Sequence, residues 1–378
     1  MNATRITPLP PLRVALVGPL PPPPGGMANQ THQLARLLEQ EGVRVDVVRT
    51  NAPYRPQWVA SLRGVRALFR LIPFLLRLWS AAGRVQLFHV MANSGWAWYL
   101  YAAPAVWAAK LRRIPVLVNY RGGDAAEFFK RSFFWVRPTM AMTDARVVPS
   151  GYLQQVFRRF GLSTEIVPNI IDLNRFTPRP ATSRERCESP HLIVTRNLEP
   201  LYDIPTALRA FAIVREKRPA ARLTVAGDGP DHAMLAALAQ ELGVAPAVSF
   251  TGRLDTDRIA ALYLQADVCV NPSLHDNMPN SILEALASGV PVVSTDVCGI
   301  PYLVEHQKTA LLVPPRDPAA MARAVLDLLD TPGLAEQLAR AGRELVQQYT
   351  WTHLRARLFD VYSALTMGRI PKEPAGLR

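Results

Sequence analysis

The densest run of chemically useful residues is Asn271-Pro-Ser-Leu-His-Asp-Asn-Met-Pro-Asn-Ser-Ile-Leu-Glu-Ala-Leu-Ala-Ser-Gly289. One acid, Asp276, stands eight positions before a second, Glu284, across a turn rich in Asn and Pro that opens a helical pattern. Asn280 or Ser281 is expected to cap that helix, aiming its first amides and the positive end of its dipole at phosphate or sugar oxygens. Asp276 can accept hydrogen bonds from sugar hydroxyls, and Glu284, one turn into the helix, can hold a ribose diol. The plainer alternative is a surface loop acid and a first-turn helix acid. Upstream, Gly25-Gly26 follows a proline run. Backbone amides there can approach a diphosphate with no side chain in the way, or the pair is an ordinary turn. Arg196, just after a strand pattern, offers a permanent bidentate charge to phosphate oxygens, a surface ion pair being the alternative. His32 on a helix, His89 at a strand end and His275 beside Asp276 are explained by packing or surface placement as well as by catalysis.

Such residues need a scaffold, and the apolar pattern supplies one. Short apolar runs alternate with helical spacing in both halves, the sign of repeated βα units around parallel sheets. Strands are expected at Val14–Val17, Val43–Val48, Val85–Val90, Val116–Asn119 and Arg146–Val148, with a first helix over Ala28–Glu41. The second half adds strands at His191–Thr195, Arg222–Ala226, Ala247–Phe250, Val268–Asn271 and Pro291–Ser294. Its helices are Pro205–Lys217, Ala233–Leu242, Thr256–Ala266, Ser281–Ser288 and Ala319–Asp330. The fold class is α/β, with two doubly wound domains facing each other across a cleft. Residues 1–178 form the first, residues 191–351 the second, and a Pro-, Ser- and Arg-rich stretch joins them. Ligands in such folds sit beyond the carboxyl ends of the strands, where Arg196 and the Asp276 loop fall.

Composition narrows the field. At 378 residues, 49% apolar and 19% charged, the chain is neither disordered nor a coiled coil. Cys187, Cys269 and Cys298 offer no disulfide framework and no metal-ligand pair, and no secretory leader is legible, so a cytoplasmic chain is expected. The uncharged stretch 85–109 is long enough to span a bilayer, but Gln86, His89, Asn93, Ser94, Gly95 and Pro104 interrupt it. It reads instead as a strand, a turn and a helix over Trp96–Ala109. Residues 1–180 carry 23 Lys and Arg against 8 acids, residues 181–378 carry 20 against 22, and no acid lies between Asp46 and Asp124. So local a field implies an anionic partner: phosphates, a lipid surface or nucleic acid. No nucleic-acid motif accompanies it, which argues against that class. Within residues 57–84, Leu62, Val65, Phe69, Ile72, Leu76 and Trp79 repeat at helical spacing beside Arg63, Arg66, Arg70 and Arg77, while Pro73 should kink the helix. Leu68, Phe74, Leu75 and Leu78 widen the apolar face. This element suits either a peripheral position on an anionic membrane surface or an ordinary domain helix with solvated arginines.

Taken together, Pro-Ser-x-x-Asp-x7-Glu-Ala-x-Ala-x-Gly-x-Pro-Val-Val-x-Thr resembles the E-x7-E motif of glycosyltransferase family 4, retaining sugar-nucleotide transferases of the GT-B fold. The resemblance extends over nearly the whole chain. Val14–Gly18 with Pro24-Gly-Gly26 is similar to the family's first strand and diglycine loop, and Val167–Asp172 with Phe176 to its passage into the second domain. Val225–Pro230, Phe250-Thr-Gly252, Ala266–Ser273, Gly299-Ile-Pro301 and Tyr349-Thr-Trp351 follow in the family's order. The resemblance implies a GT-B architecture with a C-terminal helix, about 352–378, returning to the first domain. It implies transfer of a sugar from a nucleoside diphosphate to a lipid-linked or polysaccharide acceptor, with Arg196, Asp276 and Glu284 at the chemistry. Donor contacts would come from Gly25, Gly26, Arg196, Gly227, Gly229, Arg253, Asp276, Asn277, Met278, Asn280, Ser281 and Glu284, and acceptor contacts from Asn119, Arg121 and Asp124. No metal or other cofactor is implied, since Arg, Lys and helix amides can stabilise the leaving diphosphate in place of a cation.

This chain departs from the family pattern at defined places. Leu201 or Tyr202 stands where a Lys follows the Arg, and Arg121 is the candidate to replace that charge. The first acid is Asp, and Asn277-Met-Pro-Asn280 replaces a glycine-rich turn, with Asn277 and Asn280 as candidate side-chain donors. Arg121 takes the place of a His, and Tyr302 that of a Glu. These departures keep three alternatives in view: a nucleotide-sugar-binding module without turnover, a nucleotide-sugar epimerase, and a phosphorylase.

Overall fold

The computed structural model describes residues 12–22, 25–54, 58, 66–179 and 189–367. The chain divides into two units. The first comprises residues 1–149, 153–167 and 355–378; the second comprises residues 150–152 and 168–354. Residues 168–176 group with the second unit, for Ile171 and Phe176 are buried in its core.

In the first unit β1 (Arg13–Gly18), α1 (Gly26–Gln40), β2 (Arg44–Arg49) and α2 (Arg66–Ala82) lead to β3 (Leu87–Ala92). A π-helical turn, Trp98–Ala102, runs into α3 (Ala103–Leu111), so the uncharged 85–109 stretch is a strand, a turn and a helix. Then come β4 (Val116–Tyr120), α4 (Ala125–Ala141), β5 (Ala145–Val148), α5 (Gly151–Arg159) and β6 (Glu165–Ile166). The six strands are parallel in the order β2-β1-β3-β4-β5-β6. Val14 to Val17 and the whole of β3 and β4 are buried, the unbroken apolar signature of strands covered on both faces.

The second unit runs β7 (His191–Val194), α6 (Ile204–Lys217), β8 (Arg222–Ala226), α7 (His232–Glu241), β9 (Val248–Gly252) and α8 (Thr256–Gln265). It continues with β10 (Val268–Asn271), α9 (Asn280–Ala287), β11 (Val292–Thr295), β12 (Leu311–Val313), α10 (Pro318–Asp330) and α11 (Pro332–Val346). Helix α12 (Trp351–Thr366) follows, and its residues from 355 onward group with the first unit. The sheet is parallel, ordered β12-β11-β10-β7-β8-β9. Chain order reverses between β7 and β10, which makes the ends of those strands the topological switch point where doubly wound sheets bind ligands. Helix α11 and the three-residue β12 are additions to the sequence expectation.

One expectation is corrected and one open choice is decided. The cap of α9 is neither Asn280 nor Ser281: Pro279 holds that position and no side-chain bond closes the end, because both side chains are bonded elsewhere. In α2 the stripe read from the sequence is the outer of two, a division that the spacing left open. Phe74, Leu78, Ala81 and Ala82 are buried, whereas Phe69, Ile72, Leu76 and Trp79 stand exposed on the other side. Leu62, Arg63 and Val65 lie outside the described residues, as do Cys187, the side chain of Arg66 and most of the 178–190 stretch.

Candidate active site

Arg196 follows β7 and Asp276 lies in the loop after β10, so the switch point itself brings them together. The Arg196 guanidinium donates to Asp276 Oδ2 through Nη2 and to Ser281 Oγ through Nη1 at 3.3 Å. Its plane stacks on the Tyr202 ring, 4.1 Å from the centroid. Its Nε is buried and has no hydrogen-bond partner, a donor left over for a ligand. Tyr202, one of the two residues read at the expected Lys position, therefore adds no charge; it packs against the one that is present. Both members of the ion pair are nearly enclosed, with side chains 11% and 12% exposed. Burial raises the Asp276 carboxyl above the usual range, although Arg196 and the Asn277 amide pull it down.

Glu284 lies one turn into α9, where Tyr263 of α8 meets it. The Tyr263 hydroxyl is 3.3 Å from Glu284 Oε2, 2.9 Å from the Ser281 carbonyl and 2.7 Å from Thr195 Oγ1. Burial pushes the Glu284 carboxyl up from 4.5 to about 7, against the Tyr263 hydroxyl and the Arg196 charge. A carboxylate in this position gains from ligand hydroxyls that donate to it, because they restore the hydrogen bonds burial removed.

The glycines expected at the donor have a steric role that the sequence did not disclose. A Cβ on Gly227 would lie 1.9 Å from the Arg196 carbonyl, and one on Gly229 2.2 Å from that of Leu198. They let the loop after β8 lie directly against the backbone that carries Arg196, where the Leu198 amide donates to the Asp228 carbonyl at 3.2 Å. Gly299 does the same for the acid loop, with its amide on the Asp276 carbonyl at 2.9 Å and an added Cβ only 1.8 Å from the Asn277 carbonyl.

The remaining expected contacts disperse. Asn277 is buried and accepts from the Ser150 hydroxyl. Asn280 Oδ1 accepts from Asn169 Nδ2 at 2.7 Å, and the Met278 carbonyl accepts from the same amide at 2.9 Å. The side chain of Met278 packs in the core. These groups thus fix the loop shape. Arg253 is exposed beyond β9, at the sheet edge and two strands from β7. His275 is exposed, with Nδ1 3.5 Å from Cys298 Sγ. Tyr302 is 47% exposed. Among the described residues no cluster of three or more His, Cys, Asp or Glu is placed to hold a metal.

In the first unit Gly25 caps α1 in extended backbone, and a Cβ there would meet open space. What glycine leaves at this position is access to the helix end. Arg121 Nε donates to Asn119 Oδ1 at 3.1 Å, Asn119 Nδ2 donates to His89 Nε2 at 3.0 Å, and His89 Nδ1 donates to the Tyr362 hydroxyl at 2.7 Å. Burial, with Arg121 nearby, holds His89 down at about 3, so it is a neutral structural histidine rather than an acid or base. Burial likewise lowers Arg121 to about 10. Asp124 stands exposed at the start of α4. Sequence reasoning gave no role to Tyr263, Thr195, Asn169, Ser150 or Tyr362. Only Asn169 carried a signal, its place in the Val167–Asp172 motif.

Comparison with known proteins places both halves of the chain in one family and fold. The model described as Glycosyltransferase Family 4 matches residues 24–175, and that described as Glycosyl transferases group 1 matches residues 189–331. A GDP-mannose-dependent alpha-(1-6)-phosphatidylinositol monomannoside mannosyltransferase of Mycobacterium tuberculosis is 34% identical over 235 residues, 58% of this chain and 61% of its own. The chain thus spans less than two thirds of that relative. Glycogen synthase of the same organism is 31% identical over 293 residues, 73% of this chain and 69% of its own. Among solved structures, sucrose-phosphate synthase from Thermosynechococcus elongatus superposes with a TM-score of 0.75 at 21% identity, covering 94% and 99% of the two chains. Anabaena HepE with UDP-glucose gives 0.74 at 18%, covering 93% and 99%, and both share the two-domain GT-B fold. With both halves matched in order and a relative above 30% identity across most of the chain, this protein belongs to the family 4, group 1 glycosyltransferases.

Proposed function

We propose that the protein is a retaining glycosyltransferase that moves a sugar from a nucleoside-diphosphate sugar to a lipid-linked or polysaccharide acceptor, without a metal, at the cytoplasmic face of a membrane. The observation that carries this reading is the convergence of Arg196, Asp276, Ser281 and Glu284 at the β7/β10 switch point. In the reaction the bond from the anomeric carbon to the β-phosphate oxygen breaks, and the acceptor hydroxyl bonds to that carbon on the same face. The hydroxyl proton passes to the departing phosphate oxygen, so no protein nucleophile is needed. Negative charge grows on the diphosphate as this happens, and Arg196 meets it through Nε and, once Asp276 is displaced, through Nη2. Asp276 then holds a sugar hydroxyl and Glu284 the ribose diol. Arg121, steadied by Asn119, and Asp124 are assigned to the acceptor. The mycobacterial relative, named for a mannosylated phosphatidylinositol substrate, supports the lipid-linked class.

The test is release of UDP or GDP from a panel of sugar nucleotides, with and without acceptor. Arg196→Ala and Glu284→Ala should each lower kcat/KM at least about a hundredfold, the usual scale for losing one charge-stabilising group. Undiminished release would refute the assignment. The Arg196–Asp276 pair and Tyr202 favour one second reading, a chain that binds the nucleotide without turnover; it predicts a ligand-induced rise in melting temperature and no release with any donor.

A further inference from the structure

We propose that the outer face of α2, α3 and α4 is a docking surface for an anionic lipid bilayer. Two of the three helices lie outside residues 57–84, the amphipathic segment legible in the sequence. No helix among the described residues is long and apolar enough to cross a membrane, so the contact is interfacial.

Helix α2 carries two apolar stripes at helical spacing. One packs inward through Phe74 and Leu78; the other, centred on Ile72, Leu76 and Trp79, is 47–67% exposed. Right-handed crossovers from β2 to β3, β3 to β4 and β4 to β5 put α2, α3 and α4 on the same side of the sheet. The neighbours continue the exposed surface: Leu111 is 69% exposed, and Trp135 of α4 is 70%. Contacts join the pieces. The Arg112 guanidinium stacks 4.0 Å above the Trp79 ring. Trp107 donates to Thr139 Oγ1 at 3.1 Å, one turn from Trp135, and Phe134 and Trp135 stand 5.1 Å apart. Exposed large apolar side chains on three helices, on a layer whose inner side already fills the core, call for a partner.

Charge chooses which. Arg77, Arg112, Lys130 and Arg137 are exposed on the same layer, and no acid lies between Asp46 and Asp124. Among the acids beside these helices, Asp144 pairs with Lys110 at 2.8 Å and Glu127 with Arg131 at 3.7 Å, while Asp124 stands exposed at the start of α4. A second copy would bring the same cations face to face, whereas anionic headgroups neutralise them. Arginine stems over apolar surface with indoles at the boundary are the composition that settles at headgroup level. The proposal does not rest on the transfer reaction, and its test reads binding, not turnover.

The full chain is sedimented with phosphatidylcholine vesicles with and without phosphatidylglycerol. The wild type should partition to the anionic vesicles and be released by salt. Arg77→Gln with Arg112→Gln should weaken partition roughly 25-fold, at about fivefold per cation. Leu76→Glu with Trp135→Glu should abolish it while leaving melting temperature and nucleotide release unchanged, since these side chains are exposed. Equal partition to neutral vesicles, or unaltered binding by either double variant, overturns the proposal. A wild-type dimer that becomes monomeric in Leu76→Glu/Trp135→Glu, with no vesicle binding, assigns the face to a second copy and also overturns it.

Discussion

Replacing Glu284 by Gln probes the buried cluster with almost no change of shape. Burial raises this carboxyl from 4.5 to about 7. Ionising it in the folded chain therefore costs about 3 kcal/mol more than in the unfolded one. A carboxyl that holds its proton more tightly when folded leaves stability intact below 4.5 and drains it as pH rises; the loss is complete above about 7. Gln keeps the volume and an acceptor for the Tyr263 hydroxyl, 3.3 Å from Oε2, but has no charge to bury. Wild type and Glu284→Gln should melt together near pH 4.5 and diverge toward about pH 8, where the variant should be more stable by up to ~3 kcal/mol. That is roughly 6–12 °C for a unit of this size. Thermal unfolding followed by circular dichroism across that range reads the gap directly. A gap independent of pH, or a variant less stable at the alkaline end, refutes the buried, proton-holding Glu284. Nucleotide affinity should move the other way: about tenfold weaker or more in the variant, and rising with pH between about 6 and 8 in the wild type alone, because diol hydroxyls donate best to the ionised form.

Asp276→Asn should tighten nucleoside-diphosphate binding roughly tenfold in calorimetry, because the phosphates no longer compete with a carboxylate for Arg196, while sugar transfer falls; unchanged affinity would sink the displacement step. Gly227→Ala should destabilise the second unit by about 3 kcal/mol or more and lower kcat, since the new methyl meets the Arg196 carbonyl, a backbone atom that cannot step aside. A normal melting curve would show that the close approach is not rigid. Tyr362→Phe leaves the buried His89 Nδ1–H without an acceptor and should cost about 1–3 kcal/mol in denaturant unfolding, with nucleotide binding unaffected.

Local pattern carried most of the scaffold. The unbroken apolar strands Val14–Val17 and Val268–Asn271 read correctly because strands covered on both faces need no partner to declare themselves. The Asp276–Glu284 spacing likewise fixes both acids relative to one helix, since they lie within a few residues of its start. What lay beyond the sequence depends on chain crossings. Periodicity showed that α2 has an apolar stripe, but two stripes were available, and only packing decided that Phe74 and Leu78 face inward. The resemblance puts Gly227 and Gly229 among the donor contacts; the reason for their small size is a backbone some thirty residues away. Ser281 gave up its capping position to hold Arg196, a partner 85 residues distant, and His89 found its acceptor 273 residues away. Spacing along the chain determines which faces and charges exist. Which of them meet, and which lose their water, is set by the order of strands in the sheet, and burial of the Glu284 carboxyl follows from that order alone.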